Sequence, residues 1–186
     1  MRVGATLPRA ALALCHFRLL DEGLRGELAD LDLAIELDPR SLDADFLAAM
    51  RRCGVNRASL GVQDFDPVVQ AAVNRIQPYD LVAYQVAALR DSGIRSLNLD
   101  LIYGLPFQSV SGLQRTVTQA VTLQPERIAL FGYAHVPWMK PHQLKIDEAE
   151  LPGSVQRFEQ LLAGADALGD RRMRRERPAH AGREQH

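Results

Sequence analysis

Four short apolar runs begin near residues 33, 57, 96 and 127, and each gap between them has room for a helix. The first, Leu33-Ala-Ile-Glu-Leu-Asp38, reads as a strand stopped by Pro39. Leu42, Phe46, Met50 and Cys53 then recur at helical spacing, with Ser41 as the expected N-cap and Gly54 as the stop. Asn56 to Val62 is the next strand, ending at Gln63-Asp64. Asp66-Pro67 pairs a capping carboxylate with proline at the first helical position, opening a helix through about Asn74. Val82, Val86 and Leu89 mark a helix closed by Gly93, and Ser96 to Ile102 is the third strand. Leu113, Val117, Ala120 and Val121 share a helical face, Pro125 ends that connection, and Arg127 to Tyr133 is the fourth strand. Strands alternating with helices in series imply a parallel sheet with right-handed crossovers. The runs are expected to be buried on both faces, as parallel strands commonly are.

Composition narrows the class further. At 186 residues and 47% hydrophobic, the chain has the size of one domain with one core. A net charge of -1 gives no reason to expect nucleic acid or a membrane surface as partner. Residues 171–186 hold six arginines against Glu176 and Glu184, a local +4 that leaves -5 elsewhere. No run reaches the roughly 20 apolar residues of a membrane span, and residues 10–20 lack the features of a signal peptide. Cys15 and Cys53 stand far apart in no metal-ligand spacing.

Polar residues gather where the strands end. Glu36 and Asp38, Gln63 and Asp64, Asp100, then Tyr133 and His135 all fall in or near the positions that line cavities in parallel α/β folds. Asp100 is conspicuous within Asn98-Leu-Asp-Leu-Ile-Tyr-Gly-Leu-Pro-Phe-Gln-Ser109. A carboxylate is costly to bury without a partner, so one set into a Leu/Ile run needs a reason.

Ile35-Glu-Leu-Asp-Pro-Arg40, Ser59-Leu-Gly-Val-Gln-Asp-Phe-Asp66, Val73-Asn-Arg75, Asn98 to Pro106 and Phe131-Gly-Tyr-Ala-His-Val-Pro137 together resemble the oxygen-independent coproporphyrinogen III oxidases. These are radical S-adenosylmethionine enzymes of haem biosynthesis, and the resemblance runs from about residue 30 to about 165. The related haem chaperones share the Gly-Val-Gln and Asp-Leu segments but differ at Asp-Pro-Arg, Gln-Asp-Phe and Tyr-Ala-His-Val-Pro. The resemblance implies an α/β fold, a partial TIM-like (β/α) barrel with about four parallel strands and outer helices, in a cytoplasmic protein. It places Glu36, Gln63, Arg75, Asp100 and Ala134 at S-adenosylmethionine contacts and gives no catalytic residue. Carboxylates such as Asp100 and Glu36 suit ribose hydroxyls or the ammonium, Arg75 suits the carboxylate, and the backbone near Ala134 edges the adenine. The implied reaction is oxidative decarboxylation of two propionates of coproporphyrinogen III, giving protoporphyrinogen IX. It also needs a [4Fe-4S] cluster held by a close-spaced cysteine triplet, which this chain does not carry; no metal ligand is assigned here.

The expected organisation is an N-terminal helical or decayed segment at 1–28, a partial radical S-adenosylmethionine barrel at 29–168 and a basic tail without fixed structure at 169–186. Val3-Gly-Ala-Thr-Leu-Pro8 resembles a decayed glycine-rich strand of the family. The ends suggest a truncated chain, inactive alone. The alternatives are a non-catalytic remnant that binds S-adenosylmethionine, a haem-chaperone relative, or an unrelated α/β enzyme using Glu36, Asp100 and His135 for acid–base chemistry. Family members are monomers, whereas an incomplete barrel exposes a sheet edge. Unless residues 1–28 form a helix that covers the gap, association or low-temperature melting is therefore expected in ultracentrifugation and calorimetry; a monomer that melts cooperatively at high temperature would refute it.

Overall fold

The computed structural model describes residues 33–176. Expectations for residues 1–28 and for 177–186 lie outside that span. Four strands form one parallel sheet in the order β1-β2-β3-β4, as the serial pattern implied: β1 Ala34–Leu37, β2 Arg57–Gln63, β3 Ser96–Tyr103 and β4 Arg127–Gly132. The helices are α1 Ala44–Arg52, α2 Pro67–Ala72, α3 Tyr79–Asp91, α4 Val110–Thr122 and α5 Ser154–Glu176. No described helix is long and apolar enough to cross a membrane.

Local chemistry explains most helix boundaries. Asp66 caps α2, accepting from the Val68 amide at 2.9 Å, with Pro67 in the first turn. Ser109 caps α4 through the Gly112 amide at 3.0 Å. Asp43, rather than Ser41, caps α1 by accepting from the Phe46 amide at 2.8 Å. Ser41 belongs to a short 3-10 turn, Pro39–Ser41, capped by Asp38. Gly54 and Gly93 follow α1 and α3 with φ of 70° and 98°, the left-handed exit that glycine adopts without a Cβ penalty.

The core lies on one side of the sheet. Ala58, Leu60 and Val62 of β2 and Leu97, Leu99 and Leu101 of β3 pack with Met50, Val82, Val86, Leu89, Leu113, Val117 and Ala120 from the helices. Only that face is apolar. Arg57, Ser59, Gly61 and Gln63 alternate with the buried residues of β2, so the expectation of burial on both faces fails for the central strands. A second, smaller cluster of Val69, Leu105 and Tyr133, with Ile102 packed against it, lies near the strand ends. Helix α5 approaches closely because residue 164 is glycine; a Cβ there would stand 2.6 Å from Leu130 Cδ2. It also runs through Glu176, into the stretch expected to be tail.

Buried polar side chains hold the loops after β2 and β3. Gln108 and Gln160, both essentially buried, accept the Gly104 amide through their Oε1 atoms at 2.7 and 2.9 Å. Gln108 Nε2 donates to Asp64 Oδ2 at 2.6 Å, and Gln160 Nε2 donates to the Gln108 carbonyl at 2.7 Å. Asp64 Oδ1 accepts from the Asp66 amide at 2.6 Å and the Thr116 hydroxyl at 2.9 Å. This ties β2, the Gly-Leu-Pro turn, α4 and α5 together.

Burial pushes the Asp64 carboxyl above the usual carboxylate range, outweighing those donors. The folded chain keeps this proton to higher pH than the unfolded one, so the group's contribution falls as pH rises from about 4 through the raised value. Asp64→Asn is expected to remove that slope. It should also cost about 1–3 kcal/mol at neutral pH, because a new amide donor would face Gln108 Nε2. Denaturant melts between pH 4 and pH 8 check both; an unchanged pH slope would sink the assignment.

Candidate functional site

The face of the sheet opposite the helix-packed core carries the candidate site. Parallel register aligns Glu36 with Ser59, Ser59 with Asn98, and Asn98 with Arg127, a polar row across all four strands. The next row pairs Gly61 with Asp100 and Asp100 with Ala129, so the carboxylate has small neighbours on both sides. Asp100 lies within β3 rather than at its end, and its partners answer the question the sequence raised. The Ser59 hydroxyl donates to Asp100 Oδ2 at 2.6 Å, and Asn98 Nδ2 donates to Asp100 Oδ1 at 2.6 Å. Asn98 Nδ2 also reaches Ser59 Oγ at 2.7 Å, while Arg127 Nε donates to Asn98 Oδ1 at 3.0 Å.

Gly61 organises the other half. A Cβ there would stand 2.9 Å from Gln63 Nε2 and 3.0 Å from Arg75 Nη2, so both side chains lie over the glycine beside Asp100. Arg75 Nη2 donates to the Gly61 carbonyl at 3.0 Å and lies 3.3 Å from Asp38 Oδ2. Its Nε is buried without a partner. Burial lowers the Arg75 pKa and Asp38 opposes that shift. Asp38 is in turn held below the usual carboxylate range, chiefly by its hydrogen bond from Arg40 and also by Arg75. Gln63 ends β2 at a register shift, with φ of 70°.

Gln63, Arg75 and Asp100 therefore meet around Gly61, while Glu36 stands one row away, in register with Ser59. Ala134 lies two residues past β4; its carbonyl accepts from Gln143 Nε2 at 3.0 Å, and the Val136 amide donates to Gln143 Oε1 at 2.6 Å. Asp64 does not line the site, because its buried carboxylate meets Thr116 of α4. Tyr133 joins the small apolar cluster, and its hydroxyl lies 3.4 Å from His135 Nδ1. His135 Nε2 approaches Glu148 Oε1 at 3.3 Å, so the acidic 147–150 segment supplies it a partner. Trp138 is 76% exposed.

Sequence reasoning missed Ser59, Asn98 and Arg127. The available signal was the period of two in Arg57-Ala-Ser-Leu-Gly-Val-Gln63 and Ser96-Leu-Asn-Leu-Asp100, which puts the polar members on one face.

The four strands and their helices form a parallel β/α half-barrel with carboxylate, hydroxyl, amide and guanidinium groups on its open face. Residues 6–120 match the radical SAM superfamily, and the chain belongs to it. The oxygen-independent coproporphyrinogen III oxidase of Bradyrhizobium diazoefficiens is 51% identical over 141 residues, covering 76% of this chain and 31% of that protein. The oxidase of Helicobacter pylori strain J99 is 46% identical over 130 residues, covering 70% of this chain and 28% of that protein. The solved coproporphyrinogen III oxidase of Escherichia coli, described as a radical SAM enzyme, superposes with a TM-score of 0.78 at 35% identity, over 88% of this chain and 37% of that one. The chain thus spans about a third of the length of these relatives.

The described residues fit S-adenosylmethionine in kind: a partnerless buried Arg75 Nε, the acceptor Asp100, and small residues beside it. They do not fit an iron–sulfur cluster. The sequence has two cysteines, fewer than a triplet, and Cys53 packs against the core. Among the described residues no group of three His, Cys, Asp or Glu side chains gathers to hold a metal ion.

Gly61→Ala tests how the face is filled. The atoms in the way are ends of flexible side chains, and the lost glycine entropy offsets their shift, so stability should stay within about 0.5 kcal/mol. The Arg75 guanidinium should leave the Gly61 carbonyl, read as a moved Arg75 side-chain resonance in 15N NMR. Destabilisation beyond about 2 kcal/mol would mean that these groups cannot yield.

Proposed function

We propose that this chain forms the S-adenosylmethionine-binding wall of a protein of the oxygen-independent coproporphyrinogen III oxidase type. The observation that carries the reading is the open polar face, where Asp100 is held by Ser59 and Asn98 with Gly61 and Ala129 beside it. Asp100 and Glu36 accept from the ribose hydroxyls or the ammonium. Arg75 takes the carboxylate, offering the Nε that no protein group uses. Gln63 lies between Gly61 and the ligand. The backbone near Ala134, whose carbonyl also accepts from Gln143 Nε2, edges the adenine. When bound, S-adenosylmethionine supplies hydrogen-abstracting power toward a propionate of coproporphyrinogen III; this chain's residues bind and orient it.

By themselves these residues bind without turnover, since two cysteines cannot supply a cluster's thiolate triplet. Calorimetric titration with S-adenosylmethionine checks the reading. Asp100→Ala removes a charged acceptor worth about 1.5–3 kcal/mol, so affinity should fall roughly tenfold to a hundredfold. Unchanged affinity would sink the assignment. After anaerobic iron–sulfur reconstitution, 5'-deoxyadenosine formation by this chain alone would overturn the view that it is inert.

A further inference from the structure

We propose that Arg127 is a positioning residue for Asp100: acting through Asn98, and with Ser59, it holds the carboxylate in one orientation toward ligand groups that donate hydrogen bonds. This rests on the reading of the open face as the S-adenosylmethionine site.

The chain of donors has one direction. A guanidinium has no acceptor, so the Asn98 atom facing Arg127 Nε at 3.0 Å must be the carboxamide oxygen. Asn98 Nδ2 then faces Ser59 Oγ at 2.7 Å and Asp100 Oδ1 at 2.6 Å, both of which must accept. With Asn98 donating to it, the Ser59 hydroxyl places its own hydrogen toward Asp100 Oδ2 at 2.6 Å. The carboxylate requires the same orientation from the opposite end, because an ionised carboxylate only accepts. The direction of every hydrogen in the row is thus determined by two charged groups, Arg127 on β4 and Asp100 on β3.

Two consequences follow for a ligand. Both Asp100 oxygens already accept a short bond from the protein, which fixes the directions of the lone pairs left for a ligand. A hydroxyl or ammonium fits; a carboxylate or carbonyl oxygen in the same place meets no donor. Asn98 is 8% exposed, so its carboxamide is mostly shielded from water that would replace the Arg127 bond. Arg127 is exposed on a strand flank, where one such bond contributes little to folding. Its role is to stop Asn98 from turning when a ligand competes for Asp100.

The test compares wild type, Arg127→Met, Arg127→Lys, Asn98→Leu, Asp100→Asn and the Arg127→Met/Asp100→Asn double variant. Affinity for S-adenosylmethionine is read by calorimetry and the ligand-free Asn98 side-chain amide by 15N NMR; thermal melts confirm folding. Arg127→Met should weaken binding about fivefold, Asn98→Leu at least as much, and Arg127→Lys should recover most of it. The double variant should bind no worse than Asp100→Asn, since Arg127 acts only through that carboxylate. The two Asn98 amide protons should be distinct and slowly exchanging in the wild type, and should converge and exchange faster in Arg127→Met. An Arg127→Met variant within twofold of wild type, an additive double variant, or an unmoved Asn98 amide overturns the positioning role. If Asp100→Asn leaves affinity unchanged, the cofactor reading fails, while the ligand-free Asn98 signal still decides whether Arg127 orients the carboxamide.

Discussion

The register between β2 and β3 is the constraint on which the rest depends. It puts Ser59 beside Asn98 and Gly61 beside Asp100, and on the other face it lines up Ala58 with Leu97 and Leu60 with Leu99. Side chains alternate with a period of two, so a slip of one residue would exchange the faces. Asp100 would enter the leucine layer, and Leu97, Leu99 and Leu101 would face the polar side. Burying each of those leucines is worth about 1.5–3 kcal/mol, and an unpaired carboxylate in their place costs several more. The apolar face thereby secures the polar one.

Around that register the chain uses buried amides as struts. Gln77 Nε2 donates at 3.0 Å to the Gly61 carbonyl, where Arg75 joins from the same loop, and also reaches the Val62 carbonyl. Gln70 returns to the Asp64 and Gln77 carbonyls, each at 2.9 Å. Gln108 and Gln160 do the same for the turn after β3. Each of these amides is anchored to backbone by at least one end, though Gln77 Oε1 is left without a partner, and the anchors bring the loop that carries Arg75 against β2. The site is assembled by side-chain bonds to backbone, since the loops that carry it have few ladder bonds of their own.

What was legible in the sequence followed local rules. Asp66-Pro67 announced a helix start, and the apolar runs announced four parallel strands. Ser41 and Asp43 both suit an N-cap; Pro39 drew the chain into a 3-10 turn first, so the cap fell to Asp43. Asp100 stood out because it interrupted a leucine run, yet Ser59 lies 41 residues away and Arg127 is 29 residues from the Asn98 it holds. Asp64 misled for the opposite reason. It sits at a strand end, where cavity residues gather, but Thr116, 52 residues on, takes it into the interior.

The sequence by itself determined the alternation of strands and helices, their parallel order and the residue types available for a polar cofactor, because periodicity, caps and composition act within a few residues. The tertiary structure alone decided which of those polar residues meet. The row Glu36, Ser59, Asn98 and Arg127 exists only once four strands are in register, and the burial of Asp64 exists only once α4 is docked. Pairing across dozens of residues is set by the packing of the opposite face, which no local pattern encodes.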